Sequence, residues 1–321
     1  MSTSCKKSSC ASNKAGGSCG SADAAIAMQD LVIKSSLGKI KHKILVMSGK
    51  GGVGKSTVST NLALGLAQRG YKVGLMDIDL HGPDICRMLN LTERLRDAKE
   101  IKKGMLPPML YGENLKVISL EYMLEDRDDP IIWRGPLKIQ AIRQFIADVE
   151  WGDLDFLVID APPGTGDEPL TVAHTIKDAH ALIVTTPQEV ALADVRKSVN
   201  FCKHMKMDIL GVVENMSGFV CPNCRQTVEI FKSGGGEKLA KDFGIRFLGR
   251  IPMEPMVVIG GDDGTPYLSS KADSPATHAF SGLLDQVSAA LLPAAGAAIP
   301  MAAATACGCG DGGCNPATCK C

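Results

Sequence analysis

The sequence predicts a doubly wound, mostly parallel α/β sheet with helices on both faces and a low-complexity tail at each end. Three observations predict it. Short, almost wholly apolar runs recur along the body of the chain, which suits strands buried on both faces. Stretches with helical character fall between them, and strand–helix alternation is the pattern of a sheet built by crossover connections. A glycine-rich loop joins the first apolar run to the first helix, at the end of the strands where α/β sheets take their ligands.

Taken in order, residues 1–25 are rich in Ser, Gly, Ala and Cys and are expected to be a disordered tail, because they cannot bury a core. The body is expected to span 26–292. It opens with the strand Lys43–Ser48 (KILVMS), followed by a helix over Lys55–Arg69. Lys72–Asp77 (KVGLMD) and Leu115–Leu120 (LKVISL) are the next strands, and Leu137–Val149 the next helix. Asp155–Asp160 (DFLVID) precedes a helix over Glu168–Ile176, and Ala181–Thr186 (ALIVTT) precedes one over Val190–His204. Ile209–Glu214 (ILGVVE), a helix over Gly236–Phe243 and the strand Arg246–Ile251 (RFLGRI) complete the alternation. Val287 to Ala306 carries no charge, but Pro293, Gly296 and Pro300 interrupt it. It is expected to be a helix end running into an Ala/Gly linker, with a Cys-rich disordered tail over 293–321 and no membrane span. No internal repeat is present.

Length and composition narrow the function. The chain has 321 residues, 35 basic and 35 acidic side chains and a formal net charge of zero. That argues against nucleic-acid binding by bulk electrostatics. Aromatics are 4%, too few for stacking platforms along a single strand. The N-terminus is polar and lacks a signal core, so a cytoplasmic protein is expected. The 12 cysteines sit mostly at the ends: Cys5, Cys10 and Cys19 near the start, and Cys307, Cys309, Cys314, Cys319 and Cys321 near the finish. Only Cys86, Cys202, Cys221 and Cys224 lie between. A secreted disulfide fold would spread them through its body; this distribution fits thiol or metal chemistry in a reducing compartment.

Gly49-Lys50-Gly51-Gly52-Val53-Gly54-Lys55-Ser56 fits G-x-x-x-x-G-K-[ST], with the strand before it and the helix after it that the motif needs. Glycines let backbone N–H groups turn toward phosphate oxygens, and the helix N-terminus adds partial positive charge. Lys55 would reach the β- and γ-phosphates of ATP, and the Ser56 hydroxyl would bind Mg²⁺. Asp160 ends a buried strand, where it would hold Mg²⁺ directly or through water. The run APPGTGDE after it resembles a switch segment. Asp79, in the loop DIDLHGPD, is the residue expected to orient the attacking water. The plain alternative for either carboxylate is a helix cap or loop charge. Lys50 directly follows the first glycine, and K-G-G-x-G-K-[ST] resembles the deviant Walker A class of P-loop NTPases. That resemblance implies a homodimer in which this lysine reaches the partner's phosphates and stabilises the transferred charge, as an arginine finger does.

Cys221-Pro222-Asn223-Cys224 has metal-ligand spacing. A redox pair is one possibility. A structural zinc site within one chain would need a second Cys-x-x-Cys, which the body lacks. Two copies related by a two-fold axis would supply four thiolates, enough for a bridging 4Fe–4S cluster or one zinc ion. Cys86 and Cys202 are expected to be packing residues.

GKGGVGKS, DIDLHGP, WRGPLK, WGDLDFLVIDAPPGTGDE, TTPQEVALADVRK, ENMSGFVCPNC and FKSGGGEKLAKDFGIRFLGRIPM occur in this order between about Lys41 and Tyr267. Together they resemble the Mrp/Nbp-type iron–sulfur cluster carrier family of P-loop ATPases, within the MinD/ParA-like superfamily. The resemblance implies that Gly49 through Thr57 bind ATP and that Lys50, Lys55 and Asp79 serve hydrolysis. It implies Mg²⁺ at Ser56 and Asp160, and Asn215 as the residue that reads adenine. Cys221 and Cys224 would ligate a transferable 4Fe–4S cluster shared by two subunits and passed from a cluster-assembly scaffold to apo iron–sulfur proteins. Asp84 stands where relatives carry a small polar residue. The N-terminal cysteines do not form the four-cysteine motif of eukaryotic relatives, and the C-terminal cysteines lie outside the resemblance. Other classes remain open. A MinD/ParA-type switch ATPase would want a basic amphipathic C-terminus or a basic surface. A nitrogenase-like electron donor would carry single, widely spaced cysteines. Zinc or nickel handling at the same thiols is compatible with the spacing.

Overall fold

The apolar runs assemble into one sheet. A computed structural model describes residues 19–79, 82–92, 106–123, 135–221, 223–270 and 273–292. Within them lie β1 (Ile40–Ser48), β2 (Val73–Asp77), β3 (Met109–Tyr111), β4 (Leu115–Ser119), β5 (Leu154–Asp160), β6 (Ala179–Thr185), β7 (Ile209–Glu214), β8 (Phe219–Val220), β9 (Thr227–Val228) and β10 (Phe247–Arg250). The main sheet has the order β10-β7-β6-β1-β5-β2-β4-β3. Every pairing is parallel except the edge pair β3–β4. β8 and β9 form a separate antiparallel hairpin.

The helices are α1 (Cys19–Leu37), α2 (Lys55–Gln68), α3 (Ile85–Met88), α4 (Pro136–Asp148), α5 (Asp167–Thr175), α6 (Glu189–His204), α7 (Gly235–Phe243), α8 (Pro255–Asp262) and α9 (Pro275–Leu291). They cover both faces of the sheet. Along β1, Ile44 and Val46 belong to the core under α2 and α9, while Leu45 and Met47 belong to the core under α4, α5 and α6. All four are fully buried, and each contributes on the order of 1.5–3 kcal/mol by leaving water. This two-sided burial is why the strands are written as continuous apolar runs.

The doubly wound reading holds, with the expected strands and helices found within a few residues of their predicted bounds. One boundary is corrected. The tail read over 1–25 overlaps α1, which begins at Cys19. The Ala-rich run that looked like low complexity is also a good helix former, and its apolar end, Ile33 and Leu37, joins the core. Residues 1–18 and 293–321, with Cys5, Cys10 and the five C-terminal cysteines, lie outside the described residues, as do Leu80, His81, Trp133, Arg134 and Pro222. Among the described residues no helix is long and apolar enough to cross a membrane.

Parallel register sets the site. Asp77 of β2 pairs with Asp160 of β5, and Thr185 of β6 pairs with Glu214 of β7. The polar residues that end these strands therefore line one edge of the sheet, beside the loop that leaves β1 at Ser48.

Candidate functional site

The loop from Gly49 to Gly54 carries the chain from β1 into α2. Gly52 and Gly54 have φ of 77° and 82°, a left-handed conformation that disfavours a side chain. Gly54 caps α2, and Val58 N donates to its carbonyl at 3.0 Å. Lys55 is then the first helical residue, with its ammonium turned inward.

Lys55, Ser56 and Ser59 converge on Asp160. Lys55 Nζ donates to Asp160 Oδ2 at 2.7 Å, Ser56 Oγ donates to the same oxygen at 2.7 Å, and Ser59 Oγ lies 2.6 Å from Oδ1. Asp79 Oδ2 is 3.8 Å from Lys55 Nζ. One ammonium thus faces the Asp160, Asp79 and Asp77 carboxylates. Burial works to lower the Lys55 pKa, but the charge and hydrogen bond of Asp160, then Asp79 and Asp77, outweigh it and the pKa is raised. Burial, reinforced by the charge of Asp160, pushes the Asp77 carboxyl well above the ordinary carboxylate range. Asp77 also anchors the loop after β2. Its Oδ1 accepts from Asp79 N at 3.0 Å, and its Oδ2 from Ser119 Oγ at 3.1 Å and Ile85 N at 3.5 Å.

Above this cluster opens a cavity of about 670 Å³, within the range of small-molecule sites. Its walls include Lys50, Gly51, Gly52, Gly54, Lys55, Ser56 and Thr57 from the loop and α2, with Asp79, Asp84, Arg87 and Pro163. Val257, Val258 and Gly261 of α8 form a further wall. Lys50 is exposed at the cavity and has no acidic partner among the described residues. Val53 is buried beneath the loop. The hard oxygen donors Ser56 Oγ and Asp160, adjacent and beside the cavity, fit a Mg²⁺ site.

Asn215 follows β7 and is buried. Its Nδ2 donates to the Val53 carbonyl at 2.9 Å, and its backbone N–H donates to Thr185 O at 2.8 Å. The amide braces the back of the loop instead of forming a wall of the cavity.

The Cys-x-x-Cys turn sits at the tip of the β8–β9 hairpin, six residues after Asn215. Cys221 N donates to Gln226 O at 3.0 Å, and Arg225 N to Cys221 O at 2.8 Å. Cys221 is half-buried, Cys224 is exposed, and both are free thiols. The backbone N–H of Cys224, then that of Asn223 and the Cys224 thiol, lower the Cys221 pKa. A lowered pKa favours the thiolate, the form in which a cysteine acts as nucleophile or metal ligand. Among the described residues no cluster of three or more His, Cys, Asp or Glu side chains is arranged to hold a metal. Cys86 and Cys202 are buried as expected. Cys202 Sγ lies 3.8 Å from Met47 Sδ, and burial pushes its thiol up to about 12.

The structure therefore brings Lys55, Ser56, Asp79 and Asp160 together, with Lys50 at the same cavity. It keeps the Cys221/Cys224 pair in a separate feature on the same sheet edge. Sequence reasoning missed Ser59, Asp77 as a loop anchor, and Glu214. For Ser59 the signal was its place one helical turn after Lys55; for Glu214 it was a buried strand end like that of Asp160.

Comparison with known proteins agrees with this geometry. Residues 39–288 match the model of the ParA family described as "NUBPL iron-transfer P-loop NTPase". A cytosolic Fe-S cluster assembly factor NUBP2 homolog from Nematostella vectensis is 46% identical over 262 residues, covering 80% of this chain and 96% of its own. An iron-sulfur cluster carrier protein from Methanocaldococcus jannaschii is 50% identical over 242 residues, covering 75% and 82%. A solved nucleotide-binding protein from Archaeoglobus fulgidus in complex with ADP superimposes with a TM-score of 0.66 at 38% identity, covering 78% of this chain and 96% of that one.

Proposed function

Since the chain belongs to the ParA family, in the group described as NUBPL iron-transfer P-loop NTPases, we propose that it is an ATP-hydrolysing carrier of iron–sulfur clusters. Two copies hold a transferable 4Fe–4S cluster through Cys221 and Cys224 of each, receive it from an assembly scaffold and deliver it to apo-proteins in the cytoplasm. One observation carries the proposal. A P-loop cavity and an exposed two-thiol turn occupy the same edge of one sheet, and the turn supplies half of the four thiolates that such a cluster takes. The names of the relatives from Nematostella and Methanocaldococcus support the cargo.

In this account the loop N–H groups and Lys55 bind the phosphates of ATP. Binding draws Lys55 away from Asp160, and Ser56 with Asp160 would then hold Mg²⁺. Mg²⁺ neutralises phosphate charge when bound. Asp79, held by its own backbone bond to Asp77, orients water for attack. Lys50, exposed and without an acidic partner in its own chain among the described residues, reaches the phosphates of the second copy. Asn215 supports the loop from behind through the Val53 carbonyl, so for it to read adenine its amide would first have to leave that bond. The lowered pKa of Cys221 favours the thiolate that iron requires. Hydrolysis then gates the dimer, as γ-phosphate contacts gate other switch proteins.

Anaerobic reconstitution followed by iron and sulfide analysis tests the proposal. The intact chain is expected to hold about four irons per two copies. Cys221→Ala/Cys224→Ala is expected to hold none, and a chain ended at Leu292 to hold the full amount. Iron retained by the double variant and lost on truncation would move the site to the C-terminal cysteines. Zinc in place of iron would make this a zinc carrier.

A further inference from the structure

Glu214 is a fully buried carboxylate that neither the nucleotide nor the thiol chemistry uses. It gathers donors from three separate segments. Oε1 accepts from Ser217 Oγ at 2.5 Å and from Gly234 N at 2.8 Å, and Oε2 accepts from Gly236 N at 2.5 Å. Arg250 Nε lies 3.6 Å from Oε1. The carboxylate therefore sits at the positive end of α7, where backbone N–H groups point outward. The approach is close. A Cβ at Gly235 would lie 2.7 Å from Pro187 O, just after β6, and one at Gly236 would lie 3.1 Å from the Glu214 side chain, so glycines let α7 start this near to the ends of β6 and β7.

The residues on either side of this clamp lead to the two functional features. Asn215, next in sequence, holds the Val53 carbonyl of the phosphate loop. Beyond it the chain enters the cysteine hairpin through two positive-φ residues, Met216 and Gly218. Ser217 N donates to Ile251 O at 3.0 Å, and Met253 N donates to Gly218 O at 2.7 Å. Met253 lies just before α8, whose Val257, Val258 and Gly261 wall the nucleotide cavity. The root of the cysteine hairpin is thus tied to two walls of that cavity, by Asn215 on one side and by Met253 on the other.

We propose that Glu214 is a positioning residue that locks 214–218 into a rigid link, so that movement of the phosphate loop or of α8 on nucleotide binding is delivered to the Cys221–Cys224 turn. A loose segment with two positive-φ residues would absorb such a displacement; one clamped at Ser217 and at the start of α7 transmits it. The proposal rests on the reading of these thiols as the cargo site. It adds how nucleotide reaches them.

The experiment measures the rate at which a ferrous chelator strips iron from the reconstituted full chain, without nucleotide and with Mg-ATP. In the unaltered protein the two rates are expected to differ by about fivefold or more, the scale of ordinary coupling between sites. In Glu214→Gln the amide nitrogen cannot accept from a backbone N–H, and the ratio is expected to fall to near one. Its iron content and ATP affinity should be kept, which separates lost coupling from a damaged site. Ser217→Ala removes the same clamp from the hairpin side, is expected to lower the ratio too, and decides the matter if Glu214→Gln does not fold. Coupling undiminished in either folded variant overturns the proposal. A ratio of one in the unaltered, iron-loaded protein also overturns it while leaving the carrier reading intact. If the protein takes up no iron, the carrier reading fails instead. The link is then tested by the iodoacetamide alkylation rate of Cys221 with and without Mg-ATP, with the same expected ratios.

Discussion

Gly54→Ala probes the joint between the phosphate loop and Asn215. The residue has φ of 82°, and an L side chain in left-handed backbone costs roughly 1–2 kcal/mol. The added Cβ would lie 2.2 Å from Asn215 Nδ2, far inside van der Waals contact. The amide would have to leave, and the Val53 carbonyl would lose its partner. An unpaired buried acceptor costs about 1–3 kcal/mol. The two effects sum to roughly 2–5 kcal/mol. They separate in a double-mutant cycle. Asn215→Ala alone loses the hydrogen bond. With that amide already gone, the methyl group added by Gly54→Ala meets no clash and carries only the backbone cost. The cycle should therefore show a coupling of about 1–3 kcal/mol. Urea unfolding of the nucleotide-free proteins measures it, with the slope checked for constancy. Losses that add to within about 0.5 kcal/mol would mean that the amide and the glycine do not share this space, and would refute the reasoning.

Three further outcomes are expected. Lys50→Ala should bind ATP about as tightly as the unaltered chain by calorimetry yet lose about 1,000-fold or more in hydrolysis, the lower range for charge donated in trans; undiminished turnover would place Lys50 outside the chemistry. Iodoacetamide should label Cys221 at a lower pH than an ordinary thiol, because N–H donors favour its thiolate, whereas Cys202, pushed up to about 12 by burial, should stay unlabelled in the folded protein at about pH 9. Peptide mass spectrometry reads both, and early labelling of Cys202 would contradict its burial. Asp77→Asn should stabilise the nucleotide-free fold at neutral pH. A carboxyl with a raised folded pKa contributes stability below its unfolded pKa and loses it as pH rises through the folded value. The advantage of the variant in urea midpoint should therefore grow as pH rises above the ordinary carboxylate range. An advantage independent of pH would contradict the burial account.

What was legible in the sequence followed from how each feature is written. Strands covered on both faces, such as β5 and β1, are apolar runs and were found, β5 to within one residue and β1 with its start three residues late. β3 is three residues at an edge, and β8 and β9 are two each, too short for any period to show. α8 reads PMVVIGGD, with β-branched residues and paired glycines that hide a helix, so a wall of the nucleotide cavity was missed. Lys55, Ser56 and Asp160 were legible because a phosphate loop has fixed spacing and a strand-end carboxylate has a fixed place. Ser59 and Glu214 act through tertiary contacts, with partners 101 and 22 residues away, that no local pattern encodes. Asn215 was singled out by resemblance, but its grip on Val53 needed coordinates.

The central claim is that the cargo lies between two copies, held by Cys221 and Cys224 of each. Native mass spectrometry of the anaerobically reconstituted protein tests it most directly. The account predicts a species with the mass of two chains and one 4Fe–4S cluster, absent from Cys221→Ala/Cys224→Ala. A cluster carried by a single chain, or an iron-loaded dimer that survives the double substitution, would contradict it.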